Sequence, residues 1–158
     1  MQLTPHFTLR ELTYSATAAR QGLANLPSPA EIEHIRHTAQ RMEQVRSLLG
    51  DVPITVLSCY RSELVNKAVG GSPTSAHRDG LACDFVAPKY GSPFAICQAI
   101  EAARAAGHIT FDQLICEFPH SGGWVHIGFR LPPAQGRSQL LTAIKCDGHT
   151  VYLPGLQP

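Results

Sequence analysis

Apolar residues recur at helical spacing behind Ser28: Ile32, Ile35, Ala39, Met42, Val45 and Leu49, with Gly50 following as a stop. The start is equally marked. Ser28-Pro29-Ala30-Glu31 sets a capping serine three residues before a glutamate, with proline just inside the helix. This predicts one long amphipathic helix. Thr8-Leu9-Arg10-Glu11 repeats the capping pattern and predicts a short helix nearer the N-terminus. Residues 53–58 read as a strand that leads through Tyr60-Arg61-Ser62 into a short helix over residues 63–68. A loop, Gly70-Gly71-Ser72-Pro73-Thr74, separates that helix from a second strand over residues 81–86. Ser92-Pro93 opens a helix running through Ile96 and Ile100 to Gly107, and residues 113–118 and 124–129 give two more strands. Beyond Arg130 the chain turns to Pro, Gly and Gln, until residues 140–146 and 149–153 flank Asp147-Gly148, a short hairpin signal. The sum is an α+β fold, a small and mainly antiparallel sheet packed on helices.

Composition narrows the function classes. The chain has 158 residues, enough for a single domain with a sizeable core, and no repeat or linker divides it. A formal net charge of +1 supplies no long-range field for nucleic acid or an anionic membrane. No apolar run is long enough to span a bilayer. Met1-Gln2-Leu3-Thr4-Pro5-His6 has no basic segment followed by an apolar one, so no secretory signal is expected. Five cysteines, an odd number without framework spacing, suggest free thiols in a reducing compartment.

The candidate chemistry lies in Ser75-Ala76-His77-Arg78-Asp79-Gly80-Leu81-Ala82-Cys83-Asp84-Phe85 and in Trp124-Val125-His126-Ile127-Gly128-Phe129. Strand neighbours point to opposite faces, so Asp84 shares a face with Ala82, and His126 shares one with Trp124 and Gly128. Two imidazoles and a carboxylate among small residues suit a metal with an open position, either zinc or non-haem iron(II). The same residues also suit ordinary hydrogen-bonded histidines, and residue chemistry alone leaves the two readings open. His34 and His37 share a helix face without a carboxylate or thiol partner and read as solvated. Cys83 and Cys116 should turn away from the site, and Cys59, close before Arg61, lacks an evident base.

Ser75-x-His77-x-x-Gly80-x-Ala82-x-Asp84-Phe85 followed by Trp124-Val125-His126 resembles the zinc D-alanyl-D-alanine peptidases. That family includes carboxypeptidases of the VanX and VanY kind, phage cell-wall endopeptidases and the zinc fold of hedgehog domains. Phe7-Thr8-Leu9-Arg10-Glu11-Leu12, Asn25-Leu26-Pro27, Ser58-Cys59-Tyr60-Arg61-Ser62 and the stretch from Val65 to Ser72 resemble its small phage and prophage branch. The likeness covers residues 6–130 approximately, leaving residues 131–158 as a C-terminal extension that carries the hairpin. An oxygenase triad opens with His-x-Asp or His-x-Glu, whereas six residues separate His77 from Asp84 here, which favours zinc.

The resemblance implies one zinc ion per chain, held by His77, Asp84 and His126. It implies that Arg61 binds the substrate carbonyl and steadies the developing oxyanion, and that Ser75 helps hold the peptide, unless Ser75 merely bonds nearby backbone. Many relatives place their general base three residues before the last histidine, where this chain has Gly123. In the phage and hedgehog-like branches it ends the preceding strand, which points to Glu117. The loop Pro119-His120-Ser121-Gly122-Gly123 looks long for that branch and could bring His120 toward the metal. Trp124 is expected to form an apolar wall for the substrate. The implied activity is hydrolysis of a peptidoglycan stem peptide next to a D-amino acid, by an endolysin-type endopeptidase or a D,D-carboxypeptidase. The implied setting is a monomer held in the host cytoplasm until lysis and then acting on the cell wall, with neither nucleic acid nor membrane insertion. The alternative is an inactive zinc-containing module that only binds peptidoglycan.

Overall fold

The computed structural model describes residues 1–158. The capping box at Ser28 forms in full, its hydroxyl accepting from the Glu31 N–H while the Glu31 carboxylate accepts from the Ser28 N–H. Helix α3, Pro29–Leu48, grows from it. Before it come α1, Leu9–Thr13, capped by Thr8, and α2, Ala16–Gln21, capped by Ser15 and closed by Gly22 in the left-handed region. The sequence pattern gave no sign of α2, because it buries only Ala18 and so lacks an apolar stripe.

Strand β1, Thr55–Ser58, leads to α4, Glu63–Ala68, then to a single 3₁₀ turn, Ala76–Asp79, and to β2, Ala82–Val86. Helix α5, Pro93–Ala105, precedes β3, Gln113–Glu117, and β4, Trp124–Gly128. Two longer strands close the chain, β5, Gln139–Cys146, and β6, His149–Pro154. One six-stranded sheet results, in the order β1-β2-β4-β3-β5-β6. Every pairing is antiparallel except β3 with β5, so the architecture is α+β and mainly antiparallel as the pattern predicts.

Alternation gives the central strands two unlike faces. Cys83, Phe85, Leu114, Cys116, Val125 and Ile127 are fully buried on one, packed against Ile35, Ala39, Met42 and Val45 of α3 and Ile96 and Ile100 of α5. Each large side chain removed from water there contributes about 1.5–3 kcal/mol. The opposite face, bearing Asp84, His126 and Glu117, is left for a cleft.

Candidate metal centre

Asp84 and His126 sit directly opposite each other in the β2–β4 ladder, so the sheet brings them together. His77 arrives from the 3₁₀ turn, where the Ser75 hydroxyl accepts from the His77 N–H. Gly80 closes that turn at φ 71°, and a β-carbon there would lie 2.6 Å from Ile35 Cγ1. Position 80 therefore requires glycine for both its backbone and its close approach to α3. The buried Thr38 hydroxyl, from α3, donates to the Gly80 carbonyl at 2.7 Å and fixes the turn to the helix.

The three side chains are buried and converge. His126 Nδ1 lies 2.8 Å from Asp84 Oδ1, and His77 Nε2 lies 3.2 Å from both of those atoms. His77 Nδ1 is 2.6 Å from the Cys59 carbonyl oxygen, which can only accept, so Nδ1 carries the proton. Nε2 of the neutral ring then turns its lone pair inward. Burial lowers the His77 pKa and favours this neutral form, although Asp84 pulls the other way. Burial alone would raise Asp84, but His77 and His126 outweigh it and hold the carboxyl below its usual range. Two imidazoles and one carboxylate whose candidate ligand atoms lie within 4.8 Å of one another are a donor set that fits zinc.

Arg61 stands beside them. Its Nε donates to Ser58 Oγ and its Nη2 to Asp84 Oδ2, both at 2.9 Å, while the third guanidinium nitrogen, Nη1, has no partner. The fork thus occupies the outer carboxylate oxygen and leaves Oδ1 to the histidines. Glu117 is one strand over and two pairs along, since Glu117 pairs with Trp124 and Ile115 with His126. Burial pushes its carboxyl up to about 7, with the Asp84 charge adding to the effect. A half-buried acid, a pinned guanidinium and three convergent candidate ligands share one cleft of about 1240 Å³.

Residues 5–128 match the family model described as Peptidase M15. The chain belongs to the peptidase M15 family. A zinc D-Ala-D-Ala carboxypeptidase of Streptomyces albus G is 37% identical to it over 70 residues, which cover 44% of this chain and 26% of that protein. The chain thus spans about a quarter of the length of the curated relative it matches.

The remaining predicted site residues of this M15 chain fall differently. Trp124 lies on the cleft wall, edge-to-face with Phe118 at 5.4 Å. Its buried Nε1 faces the Glu117 carboxylate and favours its ionised form, yet falls outside hydrogen-bonding geometry. Ser75 also lines the cleft, but its hydroxyl caps the turn that carries His77. His120 is exposed and bonds the Pro158 carbonyl at 3.2 Å, so the loop does not deliver it to the ligands. Gly123 explains why no carboxylate stands three residues before His126. A β-carbon at that position would lie 1.7 Å from the Glu117 carbonyl oxygen.

All five cysteines are free thiols. Burial pushes Cys59 far above the ordinary thiol range, which removes it as a nucleophile. His34 bonds the Asp79 carbonyl at 2.9 Å, a structural contact. Among the cleft residues that sequence reasoning missed are Lys145 and Tyr152. Their place follows from the Asp147-Gly148 turn, which pairs Cys146 with His149 and so Ala143 with Tyr152. The missing information was the parallel seam joining that hairpin to β3.

Proposed function

We propose that this chain is a zinc metallopeptidase that hydrolyses a peptidoglycan stem-peptide bond next to a D-amino acid. The observation that carries the proposal is the convergence of His77, Asp84 and His126 beside Glu117 and Arg61 in a chain of the M15 family. His77, Asp84 and His126 would hold one zinc ion per chain. Zinc supplies Lewis acidity there, polarising a carbonyl and making water nucleophilic near neutral pH. Glu117, with a carboxyl raised to about 7, accepts a proton from the attacking water and returns it to the leaving amine as the C–N bond breaks. Arg61 turns its unpartnered Nη1 to the substrate carbonyl oxygen and stabilises charge developing on it. Trp124 forms the apolar wall that keeps the peptide against these groups, and the Ser75 hydroxyl steadies the turn that carries His77.

The identity of the Streptomyces relative supports a D-Ala-D-Ala bond as the target, and the phage-type motifs around Arg61 support an endolysin setting. Digestion of purified peptidoglycan by zinc-loaded protein, read by mass spectrometry, tests the proposal. Free D-alanine identifies a carboxypeptidase, and separated cross-linked peptides identify an endopeptidase. Binding without any new product, from a preparation with full zinc content, would replace the enzyme by a binding module.

A further inference from the structure

The family match ends at residue 128, yet the cleft does not. Strand β5 pairs with β3, setting Ala143 beside Glu117, and β6 sets Tyr152 beside Ala143. Side chains two apart on a strand share a face, so Lys145 and its partner Thr150 also stand on the face of Glu117. Ala143 is fully buried while Tyr152 is half exposed and lines the cleft. The hairpin therefore builds a second wall, two strands beyond the metal ligands.

Lys145 is the one lysine on that wall, exposed but oriented by two neighbours. Its Nζ donates to Thr150 Oγ1 at 2.9 Å and lies 5.4 Å from the centroid of the Phe118 ring. Phe118 in turn packs on Trp124, so the ammonium stands one aromatic ring beyond the apolar wall of the site. A cation over a ring keeps its charge at little desolvation cost. No carboxylate of the protein pairs with it. An ammonium has three donors, of which Thr150 takes one. Such a cation, at the cleft and without a carboxylate partner, is available to an anion carried by the substrate.

We propose that the β5–β6 hairpin is a specificity element, and that Lys145 recognises a carboxylate carried by the peptide substrate some residues away from the cleaved bond. The distance excludes the carboxylate of the departing residue itself. Four residues along the strand and two strands across separate Lys145 from the level of His126, roughly 16 Å between backbones at the usual spacings. A lysine stem leaning back over Phe118 shortens this to roughly 10 Å, about three residues of extended peptide. The favoured substrate is thus an acidic peptide longer than a dipeptide. The inference rests on the peptidase reading given above.

The test uses two synthetic pentapeptides ending in D-Ala-D-Ala, identical except for glutamate or glutamine three residues before the scissile bond. Binding is read from the fluorescence of Trp124, the single tryptophan, in zinc-loaded Glu117→Gln protein, and cleavage is read in the parent protein. Lys145→Gln should weaken binding of the glutamate peptide about fivefold, the upper scale for an exposed ion pair, and leave the glutamine peptide unchanged. The loss should shrink at high salt and fall on KM with kcat preserved. Lys89→Gln, the same charge change outside the cleft, should alter neither peptide. Equal effects on both peptides, or none, overturn the subsite while leaving the peptidase reading intact. A parent protein that neither binds nor cleaves either peptide overturns that reading, and the subsite with it.

Discussion

Glu117 and Gly123 form one arrangement seen from two positions. No side chain fits at residue 123, because the chain folds back onto the Glu117 carbonyl there. The proposed general base stands instead on the neighbouring strand, where burial and Asp84 raise it to about 7. As general base, Glu117→Gln should keep zinc and fold but lose at least ~10²-fold in turnover. His120→Ala should cost far less, since His120 bonds Pro158 in solvent. A larger loss at His120, in zinc-loaded protein with unchanged metal content, would transfer the role to the loop. Arg61 belongs to the same scale. Arg61→Ala should lower turnover by roughly 10²–10³, with lysine restoring only part, because lysine lacks the planar fork that sets donors toward Ser58, Asp84 and a substrate oxygen from separate nitrogens. Single-turnover rates at matched zinc content measure both.

At the scale of elements, His77 depends on a 3₁₀ turn that two contacts hold against α3. Gly80→Ala introduces a β-carbon in the left-handed region and against Ile35, so it should destabilise the fold by about 1–2 kcal/mol from backbone strain alone. Chemical unfolding of the metal-free variant checks this, and a loss below the measurement error would remove the turn from the account. The turn's glycine stood out in the sequence, but its contact with α3 did not. What was legible was local: the Ser28 capping box, the helical stripe of α3, and the alternation that put Asp84 and His126 on accessible faces. Their direct opposition depended on the order β2-β4-β3, which no local pattern carries. Helix α2 left no apolar stripe to read, and the β3–β5 pairing joins segments separated by a whole strand. That seam is why the hairpin could be foreseen while its place on the cleft could not.

At the scale of the whole molecule, two carboxyls with opposite shifts act on stability in opposite directions as pH changes. Asp112 begins the approach to β3 and accepts from Arg130 Nε, Arg137 Nε and Nη2, and the Arg137 N–H, tying the segment after β4 to the core. Burial would raise its pKa, but the two arginines bring it down to about 2. The unfolded value is about 3.9, so Asp112 stabilises the fold above about pH 4, and this is lost as pH falls toward 2. Glu117 acts in the other sense. Its folded pKa of about 7 exceeds the unfolded value of about 4.3, so the fold is penalised as pH rises from about 4 to 7. In metal-free protein Asp84, held low by the two histidines, adds to the acid limb, and so does His77, because burial lowers its pKa and the fold is penalised as pH falls below the ordinary histidine value of about 6.5. Asp112→Asn should weaken the acid limb without abolishing it, and leave the neutral limb alone. Glu117→Gln should do the reverse, raising stability at pH 8 by on the order of 2 kcal/mol and changing little at pH 4. Thermal unfolding across pH 2–8 in the presence of chelator measures both limbs. A Glu117→Gln variant no more stable than its parent at pH 8 would show that the carboxyl is not strained by burial. The balance between a costly acid and a well-placed base would then have to be sought elsewhere in the cleft.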